Sequence, residues 1–159
     1  MPPTVLSLPR SAEPRLRIVS DPVRLVAIQE TPLDVSEVLD ALGDAGAGGL
    51  TLFVGQVRDH DGGQGVAALG YSAHPSALDR LRDVCEQVAA AHDVRGVAAV
   101  HRVGQLQVGD LAVVVATTAA HRGDAFEASR ALIDTLKAEV PIWKHQVFAD
   151  GSEEWVGTP

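Results

Sequence analysis

Between Leu111 and Thr118 the chain reads LAVVVATT, eight residues that are apolar or β-branched throughout. Such a run has no polar face to offer water, and it predicts a central strand of a sheet. Aromatic residues make up only 4% of the chain, so the core around this strand is expected to be built from Val, Leu, Ile and Ala. The length of 159 residues fits one domain, or one domain with a small appended lobe. A chain of this size buries roughly two-thirds of its unfolded surface, enough for a core without staples.

The other elements fall into place on either side of that strand. Arg24 to Glu30 (RLVAIQE) alternates and reads as a strand that Pro32 breaks. Asp34 suits the N-cap of a short helix with Val35, Val38, Leu39 and Leu42 on one face. Leu50 to Val57 (LTLFVGQV) reads as a strand running into the polar loop Arg58-Asp59-His60-Asp61-Gly62-Gly63, with Val66 to Ala73 returning. Pro75 suits the first turn of a helix to about His92, with Leu78, Leu81, Cys85 and Val88 as its apolar face. Val97 to Val103 and Leu106 to Val108 read as short strands before a turn at Gly109-Asp110. Asp124 and Glu127 have capping-box spacing at the head of a helix carrying Phe126, Leu132, Ile133 and Leu136, which Pro141 ends. Ile142 to Phe148 and Glu154 to Val156 read as strands about an Asp150-Gly151 turn. This mixed, strand-rich order with about three helices is of the α+β class. Residues 1–22, rich in proline and arginine and without an apolar segment, read as a flexible N-terminal tail, leaving 23–159 as the domain.

Charge and cysteine usage exclude several function classes. A formal net charge of −8 leaves no basic stripe for nucleic acid, though it permits a local cationic pocket for an anionic small molecule. No apolar run approaches the ~20 residues of a membrane span. The single Cys85 excludes an intrachain disulfide framework and fits a reducing, cytoplasmic compartment. On a helical apolar face it reads as core rather than nucleophile. The six histidines show no metal-ligand spacing and there is no CxxC, so no metal site is expected.

One compositional oddity points to chemistry. The chain has eleven arginines and only two lysines, and both lysines, Lys137 and Lys144, lie within LKAEVPIWK. Where a generic positive charge suffices, this sequence uses arginine. A lysine ammonium, unlike a guanidinium, can give up its proton in a suitable environment and act as base or nucleophile. The proline corner at Pro141 could bring the two amines to one cleft from two rigid elements. The plainer reading is a helix-dipole contact for Lys137 and a solvated strand position for Lys144. His121-Arg122, at a strand-to-helix junction, and Arg58, at a strand end, suit an anion. His101-Arg102 reads as structural, and Trp143 either lines the pocket or packs.

Four ordered segments carry a specific likeness: FVGQVRDH (Phe53 to His60), HRVGQLQVGD (His101 to Asp110), AAHRGDAF (Ala119 to Phe126) and LKAEVPIWK (Leu136 to Lys144). Together they resemble the large, catalytic subunit of molybdopterin synthase, over roughly Arg24 to Val156. The resemblance implies an α/β-hammerhead with an additional small antiparallel sheet. It implies a sulfurtransferase that converts cyclic pyranopterin monophosphate to molybdopterin. The dithiolene sulfurs arrive as a C-terminal thiocarboxylate on a small ubiquitin-like sulfur-carrier subunit ending in Gly-Gly, and no cofactor is bound permanently. It implies a homodimer of large subunits within a heterotetramer.

Residue by residue, the resemblance makes Lys137 the main catalytic lysine and Lys144 the second. It places Gln56, Val57, Arg58, His121, Arg122, Lys144, His145 and Gln146 at substrate-binding positions, some of them supplied by the dimer mate. Phe53, Ile133 and Trp143 then line the pocket. His145 and Gln146 depart from the family, which usually has a basic residue and a glutamate there; Gln146 keeps a hydrogen-bonding group without the carboxylate. The alternative is a non-catalytic or specialised paralogue that binds a phosphorylated ligand or a partner's tail.

Overall fold

The computed structural model describes residues 22–157 and a short strand at 15–16. The elements run β1 (Arg15–Leu16), β2 (Val23–Gln29), α1 (Val35–Ala41), β3 (Gly49–Gln56), β4 (His60–Asp61), β5 (Gln64–Ala73), α2 (Ala77–Ala91), β6 (Gly96–Arg102), β7 (Gly104–Leu106), β8 (Leu111–Ala119), α3 (Arg122–Glu139), β9 (Ile142–Phe148) and β10 (Glu153–Val156). Apart from the β1 pairing and Pro22, the tail expected over residues 1–22 lies outside the described residues.

Two sheets result. The first has the order β1-β2-β6-β8-β3, with β2 and β6 parallel and the other pairs antiparallel. The apolar run of β8 sits inside it, between β6 and β3, because both of its faces are needed for packing. Val113 and Val115 join Val97 and Ala99 of β6 against Leu81, Val84 and Cys85 of α2 and Leu132 and Leu136 of α3. Val114 and Ala116 face the other way and join Leu25, Ala98, Val38 and Leu42, where α1 closes the layer. A strand covered on both faces shows no polar alternation, which is the pattern its sequence carries. Burial pushes the Cys85 thiol up to about 12, so this cysteine is core, as its helical spacing indicated.

The second sheet is antiparallel, ordered β10-β9-β5-β4, with β7 also paired to β5. Val57, Leu69, Leu106 and Ala112 form a small core of their own beneath it. The α+β class and the added antiparallel sheet are therefore both present.

Local differences from the sequence expectations have simple causes. The third helix begins at Arg122, with His121 at its N-cap and no side-chain cap bond, so Asp124 and Glu127 do not form a capping box. Asp124 lies instead in the first turn, where its charge suits the positive end of the helix dipole. Phe126 is 62% exposed rather than on the apolar face, because that face at this turn is taken by Ala125 and Ala128. Pro75 precedes Ser76, the N-cap of α2, and so stands just outside the helix. The short strand expected at Leu106 to Val108 is displaced to Gly104–Leu106, where it pairs with Leu69 to Tyr71. The polar loop after β3 contains a tight hairpin, with Gly62 and Gly63 both at positive φ.

Candidate functional site

Lys137 and Lys144 open onto one pocket of about 220 Å³, lined also by Tyr71, His101, Ile142 and Val156. The pocket lies where the end of α3 and the end of β6 meet β5 and β9 of the second sheet. Lys137 occupies the last turn of α3 and is exposed, with Leu136 beside it anchoring the turn in the core. Pro141 then stops the helix and Ile142 starts β9, which carries Lys144 back across from Tyr71. The corner at Pro141 thus brings together two amines from two different elements. Gly157, at φ +131°, closes the far side, where a Cβ would come within 2.6 Å of the Ile142 carbonyl oxygen. Only glycine allows the chain to turn there.

Arg58 and Lys144 are drawn to a common carboxylate, Asp61. The Nζ of Lys144 is 3.8 Å from Asp61 Oδ2, and an Nη of Arg58 is 3.4 Å from Oδ1. Gln146 donates from Nε2 to Asp61 Oδ2 at 2.7 Å and also to Glu154 at 3.4 Å. The Gln146 hydrogen bond, followed by the charges of Lys144 and Arg58, holds the Asp61 carboxyl below the usual carboxylate range. The departure at Gln146 gains a physical sense here: an amide can donate to two neighbouring carboxylates, whereas a glutamate would add a third negative charge. Gln146 is almost wholly buried, so its amide is committed to this cluster.

The remaining sequence candidates divide by position. Gln56 is exposed at the end of β3, and Val57 is buried, its N–H donating to the Asp110 carbonyl. His145 stacks on Trp155 with ring centroids 4.4 Å apart, and its Nε2 lies 3.7 Å from Glu153. His121 and Arg122 are exposed at the N-terminus of α3. Arg122 and Lys137 are fifteen residues apart on that helix, about 22 Å along its axis. One chain therefore does not bring His121 and Arg122 to the lysines. Phe53, Ile133 and Trp143 are not among the residues lining the lysine pocket: Phe53 lies half-exposed on the edge strand β3, Ile133 packs on the core, and Trp143 meets His74 edge-on.

Two residues outside the sequence candidates belong to the site. Asp61 stood out only as part of a polar loop, since its partner Gln146 is 85 positions away. His101, which reads as structural in the sequence, is buried in the wall of the lysine pocket. Its Nδ1 is 2.7 Å from the Arg102 carbonyl oxygen, which only accepts, so Nδ1 carries the proton. Burial, reinforced by the charge of Lys137, lowers the His101 pKa to about 4. The ring is thus neutral at pH 7. Among the described residues no group of three His, Cys, Asp or Glu could hold a metal ion, and no helix is long and apolar enough to cross a membrane.

Comparison with known proteins gives concordant results. The family model described as MoaE protein matches residues 28–139. The molybdopterin synthase catalytic subunit 1 of Mycobacterium tuberculosis is 46% identical over 134 residues, covering 82% of this chain and 88% of that protein. The X-ray crystal structure of molybdopterin synthase from Staphylococcus aureus superposes with a TM-score of 0.77 at 29% identity, over 84% of this chain and 97% of that one. A complex of subunits 1 and 2 of the molybdopterin-converting factor from Helicobacter pylori shares the fold, with a TM-score of 0.64 at 20% identity over 83% and 88% of the two chains.

Proposed function

The chain belongs to the MoaE protein family and acts as a catalytic subunit in molybdopterin synthesis; from that premise we propose that its lysine pocket carries out a sulfur transfer. The substrate is cyclic pyranopterin monophosphate, and the sulfur comes from the thiocarboxylated C-terminus of a small ubiquitin-like subunit, with no permanently bound cofactor. The observation that carries this reading is the convergence of the only two lysines, from α3 and β9, on one pocket.

Each part of the site has a task in this proposal. The carrier's terminal Gly-Gly enters beside Lys137 and excludes water, which strengthens every charge in the pocket. Lys137 moves protons, or takes the acyl group transiently, as sulfur leaves the thiocarboxylate for the pterin side chain. Water then closes the carrier's carbonyl as a carboxylate. Lys144 and Arg58 hold the phosphate, exchanging their long contacts with Asp61 for the incoming anion, and stabilise charge as the cyclic ester opens.

His121 and Arg122 join from a second copy of the chain. The edge strand β3 leaves Leu50, Leu52 and Phe53 uncovered, and Phe126 stands exposed on the helix that packs on it. Apolar residues grouped on a sheet edge suit a partner surface, and a homodimer within a heterotetramer supplies one. Mixed dimers of Lys137→Ala and Arg122→Ala chains should then recover activity that neither variant has alone. Equal inactivity in the mixture would place both residues in one chain's site.

The direct test is to combine the purified chain with the thiocarboxylated carrier and cyclic pyranopterin monophosphate and to measure dithiolene product. Absence of product from folded, carrier-bound protein would leave only a module that holds a phosphorylated ligand or a partner's tail.

A further inference from the structure

His101 is buried, yet it stands in the wall of a pocket whose other polar groups are two amines and a phenol. Nδ1–H donates to the Arg102 carbonyl at 2.7 Å, and the edge contact with Tyr71, centroids 5.0 Å apart, sets the ring plane. The tautomer is therefore decided by the backbone, and the orientation by a neighbour in the same pocket wall. Nε2 is left as a lone-pair acceptor, and it has no hydrogen-bond partner among the described residues. His101 and Val97, Ala99 alternate onto the face of β6 that α3 covers, which is the helix that presents Lys137. A buried ring with one nitrogen satisfied, in the wall of a pocket that two amines also line, is more than filler, since a phenylalanine or leucine would complete the same packing without a second, unbonded nitrogen.

We propose that His101 is a positioning residue: its Nε2 accepts a hydrogen bond from the Nζ of Lys137 and holds that amine against the pocket wall while the carrier's tail is bound. The inference rests on the sulfur-transfer reading for what the held amine then does, but not for the contact itself. Burial keeps the ring neutral, with its charged form suppressed down to a pKa of about 4, so the acceptor is present throughout the neutral range. An amine that is otherwise exposed on a helix end samples many rotamers; one fixed acceptor selects those that point into the pocket.

The chain assembled with its carrier subunit provides the test. His101→Phe keeps the ring and removes the acceptor. It should lower kcat by about 10- to 100-fold, the scale of a misplaced reacting group, with KM for the carrier unchanged. His101→Gln, whose side-chain oxygen reaches the place of Nε2, should restore most of the rate. Lys144 serves as an internal standard for a readout without the pterin: in His101→Phe, acetylation of Lys137 by acetic anhydride should rise several-fold relative to Lys144, because the amine is no longer held. A structural defect would move both lysines together. Nitrogen NMR of the chain assembled with its carrier subunit gives a readout that needs no His101 variant: Lys137→Met should shift the Nε2 resonance of His101 from its wild-type position while Nδ1 stays put. An unmoved Nε2 resonance, or a His101→Phe enzyme with wild-type kcat and an unchanged labelling ratio, overturns the proposal. If the wild-type complex makes no dithiolene, the sulfur-transfer reading falls while the labelling ratio and the resonance still decide the role of His101.

Discussion

Asp44 and Asp61 each gather two cationic side chains, and the two clusters are built to different ends. Asp44 accepts from Arg95 Nε at 2.7 Å, from Arg24 at 3.1 Å and from the Gly46 N–H at 2.8 Å. Arg24 spends further donors on the carbonyls of Ala41, Gly43 and Arg95, so the end of α1 is tied to β2 and to the approach to β6. The Arg95 hydrogen bond leads the effects that hold the Asp44 carboxyl low. At Asp61 the short bond comes from a neutral amide, while the two cations stand off at 3.4 and 3.8 Å. A saturated, all-arginine cluster is a clamp. A cluster whose cations are held loosely, and which includes one of the two lysines, is a site from which cations can be recruited to another anion.

The largest effect expected from testing that contrast is at the amine itself. Lys137→Ala should cut turnover by about 10²- to 10⁴-fold, the usual reach of a proton-transfer group, with fold and assembly intact by circular dichroism and size-exclusion chromatography. Lys137→Arg should fail as well, because it keeps the charge but not the transferable proton. Near-normal rates in either variant would remove Lys137 from the chemistry.

Next comes the pH response of the pocket wall. The folded chain refuses the proton on His101 until about pH 4, while the unfolded chain takes it up near 6.5. Stability is therefore complete above pH 6.5 and falls as the pH drops toward 4, by up to about 3 kcal/mol. Denaturant titrations across this window should show the slope in the wild type and a flatter curve in His101→Phe. The same slope in both would place its origin elsewhere.

Smaller effects separate the two aspartates. Asp61→Asn removes the internal counter-charge of Arg58 and Lys144, so KM for the anionic pterin should fall several-fold; a raised KM would show that Asp61 orders the cations rather than competing for them. Asp44→Ala should lower the thermal midpoint and leave turnover per folded molecule unchanged. Lost turnover without lost stability would break the distinction between clamp and site.

Much of the fold was legible because its signals are local. The unbroken apolar run of β8, the Asp34 cap that accepts from the Ser36 N–H, the Pro141 stop and the Gly109 turn each act within a few residues. The start of α3 was misplaced because a capping-box spacing two residues inside the true helix end looks the same in one dimension. Phe126 follows the helical period of the core residues yet stands in water, since period alone does not say how far along a helix its cover extends. The lysines were legible through composition alone, as the two amines in a chain that otherwise uses arginine.

By itself, the amino-acid sequence determined the class of the fold, the buried middle strand and the pair of amines to look at. Only the tertiary structure decided that Asp61 would gather Arg58, Lys144 and Gln146, that His101 would line the pocket of Lys137 as a neutral ring, and that Arg122 would stand a helix-length away. The physical reason is the same in all three. Charge, desolvation and hydrogen bonding act over a few ångströms of space, and, Arg58 apart, which is three residues from Asp61, the partners concerned lie far apart along the chain or, in the case of Arg122, at the far end of one rigid helix.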